Sequence, residues 1–166
     1  MTVSEVCRKA KENVRAIALA SEQDMNAMLA AAANALRERA DEIIAENKKD
    51  IAACTRGAQF IDRLMLDKKR IDGIAAGLEK LMELKCPIGE ILEERTLYNG
   101  LLLRRVRVPL GVIGIIYEAR PNVTADAIGL AVKSGNAVVL RGSKDAILSN
   151  KVITAVIKDA IRAAGY

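Results

Sequence analysis

Two short apolar runs, Gly111-Val-Ile-Gly-Ile-Ile-Tyr117 and Ala137-Val-Val-Leu140, constrain this chain more than any other feature. Each has strand length and neither alternates with polar residues, so each reads as a strand buried on both faces. Between them Thr124–Lys133 fits a short helix, with Thr124 as N-cap and Gly135 as terminator. Beyond the second run Ser143 can cap a last helix reaching Ala164, which offers Ile147, Val152, Val156, Ile157 and Ala160 for packing. Strand, helix, strand, helix at this spacing predicts a right-handed parallel βαβα unit, the start of a doubly wound sheet in an α/β fold.

The first half reads as helices. Thr2-x-x-Glu5 and Ser21-x-x-Asp24 match capping boxes, in which a hydroxyl and a carboxylate satisfy the free amides of a first turn. Leu29, Ala32, Ala33, Leu36, Ala40, Ile43 and Ile44 then recur at three and four, predicting one apolar stripe over about six turns. A shorter helix follows Asp67 with Ile71, Ile74, Leu78 and Leu81 on one face, and Cys86-Pro87-Ile88-Gly89 ends that pattern. Asn99-Gly100 signals a two-residue hairpin turn with positive φ at both positions, joining strands over 93–98 and 101–108. Three segments result: helical 1–89, a hairpin over 90–109, and the βαβα unit over 110–166.

Composition removes whole classes of function. The 166 residues contain no histidine, which removes the commonest metal ligand together with Ser-His-Asp and Cys-His catalysis. Cys7, Cys54 and Cys86 are odd in number and far apart, neither a disulfide framework nor a metal cluster, which predicts a reducing, cytoplasmic setting. No apolar run approaches the roughly 20 residues that span a bilayer, and the N-terminus is amphipathic rather than a leader, so no membrane partner is expected. Aromatics are only 2%, leaving Ala, Leu, Ile and Val to build the core. The net charge of +5 is uneven: residues 1–100 hold 16 Lys+Arg against 17 Asp+Glu, and residues 101–166 hold 10 against 4. The second part should attract an anion.

Open parallel sheets bind ligands at the carboxyl ends of their strands. Here those ends are Tyr117-Glu-Ala-Arg-Pro-Asn122 and Arg141-Gly-Ser-Lys144, each leading into a helix N-terminus whose amides and dipole favour anions. The G-x-G-x-x-G fingerprint is absent. On the residues alone, a basic rim of capped helices without chemistry is the simpler reading.

The stretches Val108-Pro-Leu-Gly-Val-Ile-Gly-Ile-Ile-Tyr-Glu-Ala-Arg-Pro-Asn-Val-Thr124 and Lys133-Ser-Gly-Asn-Ala-Val-Val-Leu-Arg-Gly-Ser-Lys144 carry more. They resemble the glutamate-5-semialdehyde dehydrogenases (γ-glutamyl phosphate reductases) of the aldehyde dehydrogenase superfamily, in their N-terminal part only. The resemblance implies an aldehyde-dehydrogenase-like fold. Residues 1–89 would be helices of the cofactor domain, 90–109 the hairpin of the oligomerisation region, and 110–166 the first Rossmann-like unit that binds NADP. It also implies proline biosynthesis: NADPH-dependent reduction of L-glutamyl 5-phosphate to the semialdehyde through a cysteine thioester.

In this family the nucleophilic cysteine lies downstream, in a segment nothing here matches. The resemblance thus implies no catalytic residue and no metal in this chain, with all three cysteines structural and the chain alone inactive. Ile115, Ile116 and Tyr117 would lie along the adenosine and ribose side, Arg141 would contact the ribose, and Ser143 would belong to the cofactor-binding set. Lys144 falls where NAD-preferring relatives carry a glutamate, so it would attract the 2′-phosphate of NADP; the bland alternative is a solvated first-turn lysine. Asn122 either polarises the substrate carbonyl or caps the following helix. Arg120 either takes a substrate carboxylate or phosphate, or pairs with Glu118 or Asp126. The expected partners are a small acyl phosphate and further copies of the chain in a homo-oligomer. Arg104, Arg105 and Arg107 raise nucleic acid as a different class, but the few aromatics nearby speak against it. A catalytically silent nucleotide-binding or interaction module is the alternative.

Overall fold

The computed structural model describes residues 2–166. Five helices come first: α1 (Val3–Ala18), α2 (Glu22–Glu38), α3 (Ala40–Ala53), α4 (Ala58–Leu64) and α5 (Lys68–Glu83). Strands β1 (Ile91–Thr96), β2 (Leu102–Val106) and β3 (Val112–Ile116) follow, then α6 (Asn122–Lys133), β4 (Ala137–Arg141) and α7 (Ile147–Ala163). Both capping boxes form: Thr2 and Ser21 accept from the amides of Glu5 and Asp24, whose carboxylates return the bond. Asp67 caps α5 one-sidedly, its carboxylate accepting from the Arg70 amide at 2.7 Å.

The predicted six-turn stripe is divided between two helices, because the chain turns at Arg39. Leu36, Ala40 and Ile43 still bury into one core on either side of that turn. This core gathers α2, α3, α5, α6 and α7, with Met25, Leu29, Ile71, Leu78, Ile153 and Ile157 almost wholly enclosed. The helical start and the βαβα unit therefore share one interior. Lys133 ends α6 inside it, donating to Glu22 Oε1 at 3.0 Å, Asn26 Oδ1 at 2.9 Å and the Met82 carbonyl at 3.4 Å.

The chain forms two separate two-stranded sheets. β1 and β2 pair antiparallel, and the turn between them departs from expectation. Leu97 donates to the Leu101 carbonyl at 2.8 Å, which leaves three residues in the loop, and only Gly100 has positive φ, at 83°. A three-residue loop needs one left-handed position, which glycine supplies, where a two-residue turn would need two.

β3 and β4 pair in parallel as predicted, with Val112 opposite Ala137 and Ile116 opposite Arg141. They are not buried on both faces: β3 alternates exposed and half-buried residues, and Ile116 is 85% exposed. Two strands touched by α1 and α6 have too little covering structure to enclose such a run. α6 starts at Asn122 instead of after Thr124, and Ser134 and Gly135 (φ 68°) end it. Among the described residues no helix is long and apolar enough to cross a membrane.

Candidate functional site

The register that sets Ile116 beside Arg141 also fixes where the two strands let go. The Tyr117 amide donates to the Arg141 carbonyl at 3.2 Å, so both strand-end loops leave the sheet together. They form an open ledge on which Ile116, Arg141 and Lys144 are exposed and Ile115, Tyr117 and Ser143 half-buried. Beneath it runs a polar chain. Tyr117 Oη meets Thr124 Oγ1 at 2.7 Å, and Thr124 Oγ1 donates to Asn150 Oδ1 at 3.0 Å. Thr124 is fully buried here and caps nothing, contrary to its expected role as the N-cap of α6. The chain links the end of β3 to α6 and α7. Burial pushes the Tyr117 hydroxyl above its ordinary pKa, against the lowering effect of its bond to Thr124. Gly142 closes over this chain: a Cβ there would lie 2.3 Å from Asn150 Nδ2 and 3.0 Å from the Tyr117 ring. Only glycine fits so close an approach.

The helix after β4 is not the free anion site expected of it. Ser143 caps a short 3-10 turn, Lys144–Ala146, by accepting from the Asp145 amide at 3.2 Å. α7 begins only at Ile147, and Asp50 of α3 caps it. The Asp50 carboxylate accepts from the Leu148 amide at 3.2 Å and from the Ser149 amide and hydroxyl at 2.7 Å each. Asn47 braces the arrangement by donating to Ser149 Oγ at 3.0 Å. The chain thus answers this helix dipole with its own carboxylate. What remains for a ligand is the pair of cationic side chains. Arg141 donates only to the neighbouring Gly142 carbonyl, at 3.0 Å, and Lys144 has no partner among the described residues.

On the first loop Ala119 and Pro121 are buried, while Glu118, Arg120 and Asn122 point to water. Asn122 does not cap α6; its amide donates to Asp126 at 3.3 Å. Burial raises the Asp126 carboxyl pKa, partly offset by that bond. Asn122 and Asp126 open onto a hollow of about 360 Å³ shared with Arg63 and Arg70. Arg120 pairs with neither Glu118 nor Asp126, and its guanidinium has no partner among the described residues. A larger cleft of about 920 Å³ between α1, β4 and α7 includes none of the strand-end residues. The cysteines are free, Cys7 exposed on α1 and Cys54 and Cys86 packed at the edges of the two apolar clusters. No trio of potential metal ligands exists among the described residues.

Arg104, Arg105 and Arg107 face Glu94, Glu93 and Glu90 across the hairpin, at 2.5, 3.7 and 2.7 Å. Carboxylates already answer these arginines, which blunts their pull on a phosphate backbone. Sequence reasoning missed Asp50, Asn150 and Arg56, which reach the strand-end region from elsewhere. Arg56 Nη2 meets Asp145 Oδ2 at 3.2 Å. No local spacing could reveal a cap 99 positions from the amide it serves.

The chain matches the aldehyde dehydrogenase family over residues 1–165. A γ-glutamyl phosphate reductase from Thermobifida fusca is 49% identical over 162 residues, covering 96% of this chain and 39% of that relative. The crystal structure of γ-glutamyl phosphate reductase from Thermotoga maritima aligns with a TM-score of 0.93 at 39% identity, over 96% of this chain and 39% of that one. The corresponding structure from Saccharomyces cerevisiae gives 0.90 at 28% identity, over 98% and 42%. The chain spans about two fifths of the length of these relatives. Its α/β architecture of leading helices, hairpin and parallel strand pair is theirs, and the chain belongs to the aldehyde dehydrogenase family.

Proposed function

We propose that this chain forms part of the cofactor side of a γ-glutamyl phosphate reductase, an oxidoreductase that reduces L-glutamyl 5-phosphate to the semialdehyde with NADPH. The observation that carries the cofactor assignment is Lys144, exposed and unpartnered on the ledge where β3 and β4 end. The ledge carries the groups that an adenosine 2′-phosphate would call for. Exposed Ile116, with Ile115 and Tyr117 beside it, offers apolar surface; Arg141 and Ser143 offer donors to a ribose; Lys144 offers a cation to a 2′-phosphate. The α7 terminus is filled by Asp50, so the pyrophosphate is held by groups other than those amides. Bound NADPH supplies hydride. On the first loop Arg120 is available for a substrate carboxylate or phosphate, and the Asn122 amide for the substrate carbonyl oxygen. Cys7, Cys54 and Cys86 lie outside both strand-end loops and are structural, so the chain alone has no turnover. Cytoplasmic, homo-oligomeric working conditions complete this reading.

The test is equilibrium binding of NADP and NAD to the chain and to Lys144→Glu. A lost charge-assisted contact costs about 1.5–3 kcal/mol, so NADP should weaken tenfold or more relative to NAD. An unchanged preference would remove Lys144 from the site. A second reading is a catalytically silent nucleotide-binding module, favoured by the absence of any cysteine from the two strand-end loops, 117–122 and 141–144. Turnover with NADP, phosphate and glutamate semialdehyde by the 166-residue chain, lost on replacing any one cysteine, would overturn the structural assignment of the thiols.

A further inference from the structure

Building on the reading of Lys144 as the group that meets a 2′-phosphate, we infer that Arg56 sets the preference for that phosphate by holding and neutralising Asp145. Asp145 follows Lys144 directly in the 3-10 turn, and its side chain is only 19% exposed. Left unanswered, its carboxylate would stand next to the cation that is to receive a dianion. Charges on adjacent residues act on the same ligand at short range, where salt screens them least, so that carboxylate would oppose the 2′-phosphate. Two donors converge on Asp145 Oδ2: Ser143 Oγ at 3.1 Å and Arg56 Nη2 at 3.2 Å. Arg56 comes from the loop between α3 and α4 and is itself held, its guanidinium lying 4.3 Å above the centre of the Phe60 ring. Phe60, the single phenylalanine of the chain, belongs with Leu64, Ala119 and Ala146 to a small apolar cluster beneath both strand-end loops. The arginine is therefore anchored from below and turned toward the ledge. Its charge cancels the Asp145 charge and leaves that of Lys144 in excess.

Arg56 acts through Asp145, as a positioning residue. This predicts a pattern that simple structural damage would not give. The probes are adenosine 2′,5′-bisphosphate and 5′-AMP, which differ only in the 2′-phosphate, titrated calorimetrically into the full 166-residue chain at low salt. The unaltered chain should prefer the bisphosphate. Arg56→Gln should lower that preference by about three- to tenfold while 5′-AMP affinity stays within about twofold, since only the 2′-phosphate meets the freed carboxylate. Arg56→Lys should retain the preference, and Arg56→Gln combined with Asp145→Asn should restore it. A preference unchanged in Arg56→Gln but lowered in Lys144→Gln would overturn this inference and leave the site reading standing. A lowered preference that Asp145→Asn fails to restore would also overturn it, by showing that Asp145 is not the route. No preference in the unaltered chain would overturn the site reading, and this inference with it.

Discussion

β1 and β2 form an antiparallel ribbon whose every residue is exposed, whereas β3 and β4 form a parallel pair resting against α1 and α6. Both have two strands, yet they are held differently. The ribbon keeps Leu101, Leu102, Leu103 and Val106 in water and relies on its ladder and on three Glu–Arg pairs across it. Two strands alone are marginal in water, and surface ion pairs add little. The parallel pair has helices on hand, and its outgoing loops are pinned by buried polar bonds. The helical interior sets the stability of the chain, and the ribbon rides on it.

Side-chain truncation should separate the two regions most widely. Ile157→Ala, at a residue 1% exposed in α7, should cost about 2–5 kcal/mol in urea unfolding. Leu103→Ala in the ribbon should stay within about 0.5 kcal/mol. Equal losses would mean that the ribbon belongs to the cooperative core. Gly142→Ala comes next, at about 1–3 kcal/mol, because the new methyl must displace Asn150 and Tyr117. Gly100→Ala meets open space and costs only its left-handed backbone, about 1 kcal/mol.

Thr124→Val keeps the shape and deletes the hydroxyl, leaving Asn150 Oδ1 without its donor, at about 1–2 kcal/mol. The Thr124 bond lowers the Tyr117 pKa, so alkaline ultraviolet titration should find that hydroxyl ionising still higher in the variant. A fourth contrast uses pH. Hydrogen bonds from Lys133 and the Cys86 amide hold the Glu22 carboxyl below its ordinary 4.5. A depressed carboxylate stabilises the fold above that value, and the benefit is lost as pH falls through the folded pKa. Glu22→Gln should flatten the acid limb of stability against pH; an unchanged slope would show that the Lys133 contact contributes nothing. The smallest effect belongs to the ribbon, where Arg104→Ala should cost about 0.2–1 kcal/mol and vanish in high salt.

Features written within a few residues were legible. The capping boxes at Thr2 and Ser21, the start of a helix after Asp67 and the stop at Gly135 are each settled by neighbours in sequence, and all four form. The parallel pairing followed from strand length and spacing. The break at Arg39 was hidden because the apolar stripe continues across it, both helices facing one core. Seven-residue α4 was too short to show a period. For the candidate site, the two strand ends were legible but their supports were not. Asp50, Arg56 and Asn150 act on partners that chain order keeps far away, and Thr124 looked like a cap because its true partners, Tyr117 and Asn150, lie off its own turn.

The cap on α7 has a consequence for how the chain folds. The amides of Leu148 and Ser149 find their acceptor only in Asp50, 98 and 99 positions upstream. Until α3 docks, the first turn of α7 has unsatisfied donors and frays, while its apolar middle can already collapse onto α2. Collapse onto α2 brings α3 close, but the cap forms only once the Asp50 carboxylate is in register with the first turn of α7. The start of α7 should therefore be a late event, with substitutions at Asp50 speeding unfolding far more than they slow folding. The ledge beside it, hung from the same turn, takes its final form in that last step.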